Sequence, residues 1–133
     1  MSHTPNDSRH SGVLYVVATP IGHLGDVSAR AAEVLHEADV IVAEDTRHTR
    51  KLLNHLSVTS PKLVSLHEHN EVRQLSRVIH MVTSGQQVAL VSDAGTPLIS
   101  DPGYRLVDRA KTLALPVVAV PGPSAVTAAL SVS

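Results

Sequence analysis

The stretch VLYVVATPIGHLGD, residues 13–26, places a continuous apolar run directly before a loop of proline and glycine residues. A short unbroken run bounded by turn residues is typical of a strand that is buried on both faces of a parallel sheet. We therefore predict a central strand over 13–18. The other strands predicted in this way are Val40–Ala43, Leu63–Leu66, Val88–Val91 and Val117–Val120.

Four amphipathic segments alternate with these strands, because apolar residues recur in them at spacings of three and four. They are marked by Val27, Ala31, Val34, Leu35 and Ala38; by Thr49, Leu52, Leu53 and Leu56; by Val72, Leu75, Ile79 and Val82; and by the stretch from about Tyr104 to Leu113. Asp26 is expected to cap the first helix, the second to begin at Thr46, and Gly85 to follow the third in a left-handed conformation. This alternation predicts an α/β domain with a five-stranded, mainly parallel sheet and helices on both faces.

Length and composition fit one domain. The chain has 133 residues and no cysteine, which excludes disulfides, thiolate zinc sites and a cysteine nucleophile. Residues 1–11 are polar and are expected to form a disordered tail, with the α/β domain over 12–133. No apolar run approaches the length of about 18 residues that a membrane span needs. We therefore expect a cytoplasmic protein with no membrane contact.

The overall charge argues against a chain that only binds RNA. The formal net charge is −1 and aromatic residues make up 2% of the sequence. A broad basic field and a platform for stacking bases are therefore both missing. If RNA is the substrate, most of the binding energy is expected to come from elsewhere.

The end of the sequence suggests a longer protein. A further helix is predicted to open at Ser124, with Val126, Ala129 and Leu130 on one side, and no stop signal precedes Ser133. We therefore expect the chain to be a fragment of a longer protein.

Polar, glycine-rich or proline-rich loops follow each predicted strand. They cover residues 19–26, 44–47, 67–71, 92–103 and 121–125. In an open parallel sheet these loops meet at the carboxyl edge, where ligands bind. The phosphate-binding patterns G-x-G-x-x-G and G-x-x-x-x-G-K-[ST] are absent, so a ligand without phosphate is favoured. S-adenosylmethionine fits these loops, with Asp93 as an acceptor for its ribose, although the pattern does not single out one cofactor.

Each loop also has a plain structural interpretation. The loop after the fourth strand could simply make turns, and residues 44–47 could simply start a helix, an interpretation that is compatible with a functional one. His67-Glu68-His69 does not have the spacing of a helical zinc motif, and no metal site is expected. His23 could be a base or a solvated loop residue.

Taken together, the five loops resemble those of small-subunit ribosomal RNA methyltransferases in the tetrapyrrole methylase superfamily. The resemblance runs from about Val13 to the end of the chain, with the motifs in the same order. It implies an S-adenosylmethionine-dependent enzyme that methylates a cytidine ribose 2′-hydroxyl in 16S ribosomal RNA. The cofactor would lie in a cleft between this domain and a C-terminal domain, commonly in a homodimer, and the partner would be 16S rRNA or the small ribosomal subunit.

The resemblance also implies roles for single residues. Residues that would contact the cofactor are Pro20, Ile21 and Gly22 in the first loop, Asp93, Ala94, Gly95, Thr96 and Pro97 in the fourth, and Ser124 and Ala125 in the last. Glu44, Asp45 and Arg47 would face the substrate. His23 departs from the family pattern, which usually has asparagine there.

A ribose hydroxyl becomes a good nucleophile when a nearby base withdraws its proton. The candidates are, in order, Asp45, Glu44, Asp101 and His23. Two alternatives remain open. One is a methylase of corrin precursors, although residues 19–22 do not match the Gly-x-Gly-Pro-Gly loop that is typical of those enzymes. The other is a non-catalytic nucleotide-binding α/β module. With half of the cleft absent, this chain alone is expected to be inactive.

Overall fold

The computed structural model describes residues 12–20, 24–59, 61–67, 69–92 and 101–121. The strands are β1 (Val13–Ala18), β2 (Val40–Ala43), β3 (Leu63–Ser65), β4 (Gln87–Ser92) and β5 (Val117–Val120). The helices are α1 (Ala29–Glu37), α2 (Thr46–His55), α3 (Glu71–Thr83) and α4 (Asp101–Thr112), and a 3-10 turn covers Leu24–Asp26. The predicted tail and the predicted helix from Ser124 lie outside the described residues.

All strand pairings in the sheet are parallel, and the strand order is β3-β2-β4-β1-β5. The predicted parallel sheet is therefore confirmed. β1 is an interior strand, as its apolar sequence requires, but β4 occupies the middle position. Leu14, Val17 and Leu90 in these two strands have at most 2% of their surface exposed.

Helices cover both faces of the sheet, as predicted. On one face α1 and α2 bury side chains such as Leu35 and Leu53 against β1, β2 and β4. On the other face α3 and α4 bury side chains such as Val78 and Leu106 against the same strands. Each face therefore has its own apolar cluster, and the strands between them are enclosed.

Two helix details differ from the expectation. Asp26 ends the 3-10 turn, and Ser28 caps α1 instead, with its hydroxyl oxygen accepting from the backbone N–H of Ala31 at 3.1 Å. In α3, Val72 is 84% exposed, whereas Val78 is fully buried. Val72 lies in the first turn of α3. Helical spacing predicts on which side of the helix a residue lies, but it does not predict whether the sheet extends beneath that residue.

Two glycines occupy positions where a side chain would be costly. Gly85 follows α3 with a φ of 104°, which confirms the predicted left-handed residue. Gly12 lies just before β1, where an added Cβ would collide with the backbone carbonyl oxygen of Gln86. In the part of the chain that the structure describes, no helix is both long and apolar enough to cross a membrane.

Candidate functional site

The carboxyl ends of β1 and β4 form a switch point in the sheet. The two strands are neighbours, and Ala18 at the end of β1 pairs with Ser92 at the end of β4. The chain leaves β1 toward α1 on one face and leaves β4 toward α4 on the opposite face. Connections that diverge to opposite faces leave a crevice between the strand ends, which is where open α/β sheets bind ligands.

The neighbouring strands bring two further loops to this crevice. Val120 at the end of β5 pairs with Val17, and Ala43 at the end of β2 pairs with Val91. The loops that follow β2, β4, β1 and β5 therefore leave the sheet side by side. The carboxyl ends of β2, β4, β1 and β5, after which four of the five selected loops begin, are thus adjacent at one edge, and the end of β3 lies at one end of the row.

Most of the predicted cofactor contacts cannot be located within this row. Pro20 is described and lies two residues beyond β1, partly buried. Nine others lie outside the described residues, and their roles stay predictions: Ile21, Gly22, Asp93, Ala94, Gly95, Thr96, Pro97, Ser124 and Ala125. His23, one of the predicted bases, also lies outside them.

Asp45 both starts α2 and presents a carboxylate at the edge of the sheet. Its Oδ1 accepts hydrogen bonds from the backbone N–H groups of Arg47, at 3.0 Å, and His48, at 3.4 Å. These bonds satisfy two helix N–H groups that would otherwise lack partners. The Asp45 side chain is 50% exposed, and among the described residues nothing hydrogen-bonds its Oδ2. The helix cap therefore orients a carboxylate whose second oxygen faces no protein donor in that part of the chain.

The other acidic candidates flank this position. Glu44 directly precedes Asp45 at the end of β2 and is exposed. Asp101 is the first residue of α4, which lies on the opposite face of the sheet from α2. The fold thus places Asp101 at the start of the helix that follows β4, while Glu44 and Asp45 share the end of β2.

The loop after β3 is held by a network that the sequence did not reveal. The Asn70 amide donates to the carbonyl oxygen of Ser65 at 3.0 Å and accepts from the backbone N–H of His67 at 2.9 Å. The Gln74 amide donates to the same Ser65 carbonyl at 3.2 Å. A polar residue at a helix start usually suggests a cap, and no sequence signal indicates that this one points back into the loop.

The two histidines of this loop contact each other. The Nδ1 of His67 accepts the backbone N–H of His69 at 3.2 Å, and the two rings lie 5.8 Å apart edge to face. The Nδ1 lone pair is therefore already used inside the loop. Among the described residues no group of three or more histidine or acidic side chains is placed to hold a metal ion.

An ion pair between α3 and α4 was also missed. The guanidinium of Arg105 donates to Glu71 Oε1 at 2.7 Å, and the Glu71 side chain is only 11% exposed. The pair joins the first residue of α3 to the second turn of α4, and both helices begin at the carboxyl edge. Because the partners are far apart in sequence, helical spacing within either segment could not have indicated the contact.

The positive charge of α2 likewise escaped the sequence analysis, which considered the charge of the whole chain. Arg47, Arg50 and Lys51 all lie on the exposed side of this helix. α2 contains no acidic residue, so a charge count made helix by helix would have found this local excess.

Comparison with known proteins gives one consistent family. Residues 13–133 match the family model described as Tetrapyrrole (Corrin/Porphyrin) Methylases. The chain is 57% identical over 122 residues to ribosomal RNA small subunit methyltransferase I of Xylella fastidiosa, covering 92% of this chain and 44% of that protein. It is 53% identical over 121 residues to the protein of the same name from Vibrio cholerae, covering 91% of this chain and 42% of the relative. The chain thus spans less than half the length of these relatives.

Two solved structures share the fold. Diphthine synthase superposes with a TM-score of 0.64 at 20% identity, over 83% of this chain and 44% of that one. Uroporphyrin-III-C-methyltransferase from Thermus thermophilus superposes with a TM-score of 0.64 at 21% identity, over 85% of this chain and 48% of that one. At such identities the likeness concerns the fold alone. Since the family model extends from the first residue of β1 to the end of the sequence, the chain belongs to the tetrapyrrole (corrin/porphyrin) methylases.

Proposed function

We propose that this chain is the N-terminal half of an S-adenosylmethionine-dependent methyltransferase that methylates a cytidine ribose 2′-hydroxyl in 16S ribosomal RNA. The observation that carries the proposal is the switch point between β1 and β4, in a chain that is 57% identical to a relative named ribosomal RNA small subunit methyltransferase I. The small ribosomal subunit, and hence the cytoplasm, would be where it acts.

The residues around the switch point suit a cofactor without phosphate. The described residues at the ends of β1, β4 and β5 are 18–20, Ser92 and 120–121, and none of them is cationic. A polyphosphate would require cations or a cradle of backbone N–H groups. A sulfonium-bearing adenosine needs instead an apolar slot and acceptors for its ribose, and Asp93 is the acceptor that the loop after β4 would supply.

The cofactor, when bound, supplies an electrophilic methyl group on its sulfonium. The residues of this chain would orient the acceptor and remove its proton. In this scheme the Asp45 carboxylate, held by the α2 cap, accepts the proton of the ribose 2′-hydroxyl while Arg47 holds the RNA. Alignment of hydroxyl and methyl supplies most of the remaining acceleration. Glu44, Asp101 and His23 are the alternative bases, in that order.

The proposal also assigns the two walls of the cofactor cleft. Pro20, Ile21 and Gly22 line the cofactor on one side, and Ser124 with Ala125 contact it from the last loop. This chain matches 44% of the length of the Xylella fastidiosa relative, and the opposite wall of the cleft would belong to the rest of the longer protein. The working enzyme would be a homodimer of the longer protein.

Calorimetry tests the cofactor assignment directly. The longer protein carrying this N-terminal sequence is titrated with S-adenosylmethionine, S-adenosylhomocysteine and ATP, and binding of the first two without binding of ATP supports the proposal. Asp93→Ala is expected to weaken binding, while Asp108→Ala, on the outer part of α4, is the matched control. Binding of ATP alone would identify a nucleotide-binding module instead.

The substrate assignment requires an enzyme with both halves of the cleft. The longer protein carrying this N-terminal sequence is incubated with labelled cofactor and small subunits from cells that lack the modification. Mass spectrometry of the digested RNA should then find one added methyl on the ribose of a cytidine. A methyl on a base, or on a tetrapyrrole offered in parallel, would overturn this part of the proposal.

A further inference from the structure

The exposed side of α2 is basic. Arg47, Arg50 and Lys51 are separated by three and four residues, so they lie next to one another on the helix surface. Thr49, Leu52 and Leu53 face the sheet and are at most 3% exposed. We call the set Arg47, Arg50 and Lys51 the basic face.

This concentration of charge is unusual within the molecule. α2 carries three cationic side chains and no acidic one. By contrast, α1 contains two acidic residues, α3 one and α4 two. In a chain whose net charge is −1, an unbalanced helix indicates a polyanionic partner at that surface.

The cations of the basic face are largely uncommitted. Arg47 is 91% exposed and has one distant ion pair, from its Nε to Asp45 at 3.8 Å. Within the described residues, Arg50 and Lys51 form no ion pair. Among the other described cations, Arg105 binds Glu71 at 2.7 Å, and Arg30 lies 3.8 Å from Glu33. In the part of the chain that the structure describes, Arg50 and Lys51 therefore neutralise no carboxylate, and Arg47 only approaches that of Asp45.

The direction of α2 gives the face its place in the reaction. Glu44 and Asp45 lie at the carboxyl edge of the sheet, directly before α2. The helix then runs away from this edge, on the face of the sheet that α1 and α2 cover. Two carboxylates at the start would repel phosphates, whereas the cations that follow would attract them. A ribose hydroxyl can approach the carboxylates while its flanking phosphates contact the first turns of the helix.

We infer that the basic face binds the phosphate backbone of the RNA substrate beside the nucleotide that is methylated. This inference rests on the proposed function and adds Arg50 and Lys51 to the substrate-binding surface. It also explains how a chain with a low net charge can bind RNA, because a local basic patch can contact phosphates even where the domain as a whole has no broad positive field.

The test measures binding of the chain to deproteinised 16S RNA and to intact small subunits at several salt concentrations. The variant is Arg50→Gln with Lys51→Gln, which keeps good helix formers and leaves the cap untouched. The matched control is Arg73→Gln with Arg77→Gln, which removes the same charge from exposed positions of α3 on the opposite face. Circular dichroism and urea unfolding verify that both variants fold.

The expected result for the α2 variant is a loss of affinity on the order of tenfold near 0.1 M salt, with a salt slope smaller by about 1.4–1.8, the amount expected for two phosphates. The control should change affinity less than about twofold, because nonspecific attraction alone depends weakly on two distant charges. Equal losses in both variants, or no RNA binding by the unchanged chain, would overturn the inference.

Two further outcomes separate this inference from the proposed function. If the α2 variant loses RNA affinity but the longer protein, with both walls of the cleft, binds no methyl donor, the basic face stands and the methyltransferase proposal fails. If the donor binds and RNA affinity is unchanged in the variant, the basic face fails alone.

Discussion

Two helices that follow neighbouring strands begin in different ways. α2 follows β2, and the Asp45 side chain accepts two backbone N–H groups of its first turn. α3 follows β3, and the Asn70 side chain makes no cap bond but turns back to Ser65 and His67. One polar residue therefore serves the helix ahead of it, and the other serves the loop behind it.

The difference distinguishes a side chain that is available for chemistry from one that holds the fold together. Asp45 is half exposed and keeps an oxygen without a protein donor among the described residues, so it can combine a structural bond with chemistry. Both functional groups of the Asn70 amide are used in the loop, where its contacts are partly buried. Mutations should therefore affect turnover at Asp45 and the stability of the fold at Asn70.

The largest effect is expected for Asp45→Asn in the two-domain protein. An asparagine oxygen caps a helix about as well as aspartate, so the free energy of unfolding should change by less than about 0.5 kcal/mol. Loss of a general base lowers turnover by roughly 10²–10⁴-fold. Methyl transfer to small subunits and urea unfolding measure the two quantities. Turnover within twofold of the unchanged enzyme would pass the role of base to Glu44.

The next largest effect, a loss of stability, is expected for Asn70→Ala. Two partly buried hydrogen bonds disappear, at about 1 kcal/mol each, so unfolding should become easier by about 2 kcal/mol. Gln74→Ala removes one bond to the same Ser65 carbonyl and should cost about half as much. Urea unfolding of both variants checks the ratio. A cost for Gln74→Ala equal to that for Asn70→Ala would contradict the central role of Asn70.

A smaller effect on stability is expected for Asp45→Ala. Removal of the α2 cap should lower the free energy of unfolding by about 1 kcal/mol. Turnover should fall as far as in Asp45→Asn, because both variants lack the carboxylate. Thermal unfolding next to the asparagine variant isolates the cap, and equal midpoints in the two variants would show that the cap contributes no stability.

The smallest effect on stability is expected for Arg47→Gln. The ion pair to Asp45 is long and exposed, so its removal should change the free energy of unfolding by less than about 0.5 kcal/mol. RNA affinity should nevertheless fall, since one phosphate contact is lost. A stability loss above 1 kcal/mol would mean that Arg47 supports the cap and not the substrate.

The three inner strands β1, β2 and β4 were predictable because helices cover them on both faces of the sheet. An apolar run such as Val40–Ala43, in which all four residues are buried, has few alternatives to a central strand. The first residue of α1 was harder to predict, because Asp26 and Ser28 are both good capping residues two positions apart. Ser28 caps the helix that places Ala31, Val34 and Leu35 in the core, and tertiary packing decides such a competition.

The candidate site was predictable in its parts but not in its arrangement. Loop composition identified the stretches after each strand, whereas the neighbours of each strand depend on pairings between distant residues. The order β4-β1-β5 makes the carboxyl ends of three strands adjacent, and no local sequence pattern indicates that order. The same limit applies to the contact between Glu71 and Arg105, which exists because α3 and α4 share a face.

The pairing of β1 has a consequence for how the chain acquires its structure during synthesis. β1 is made first, yet both of its partners are late: residue 13 pairs with residue 87, and residue 14 with residue 117. The unit from β2 to β3 can close much earlier, because its partners are separated by one helix. Until the ribosome has produced β4, the apolar strand VLYVVA has no place in a sheet, so slow folding and dependence on chaperones are expected of the nascent chain.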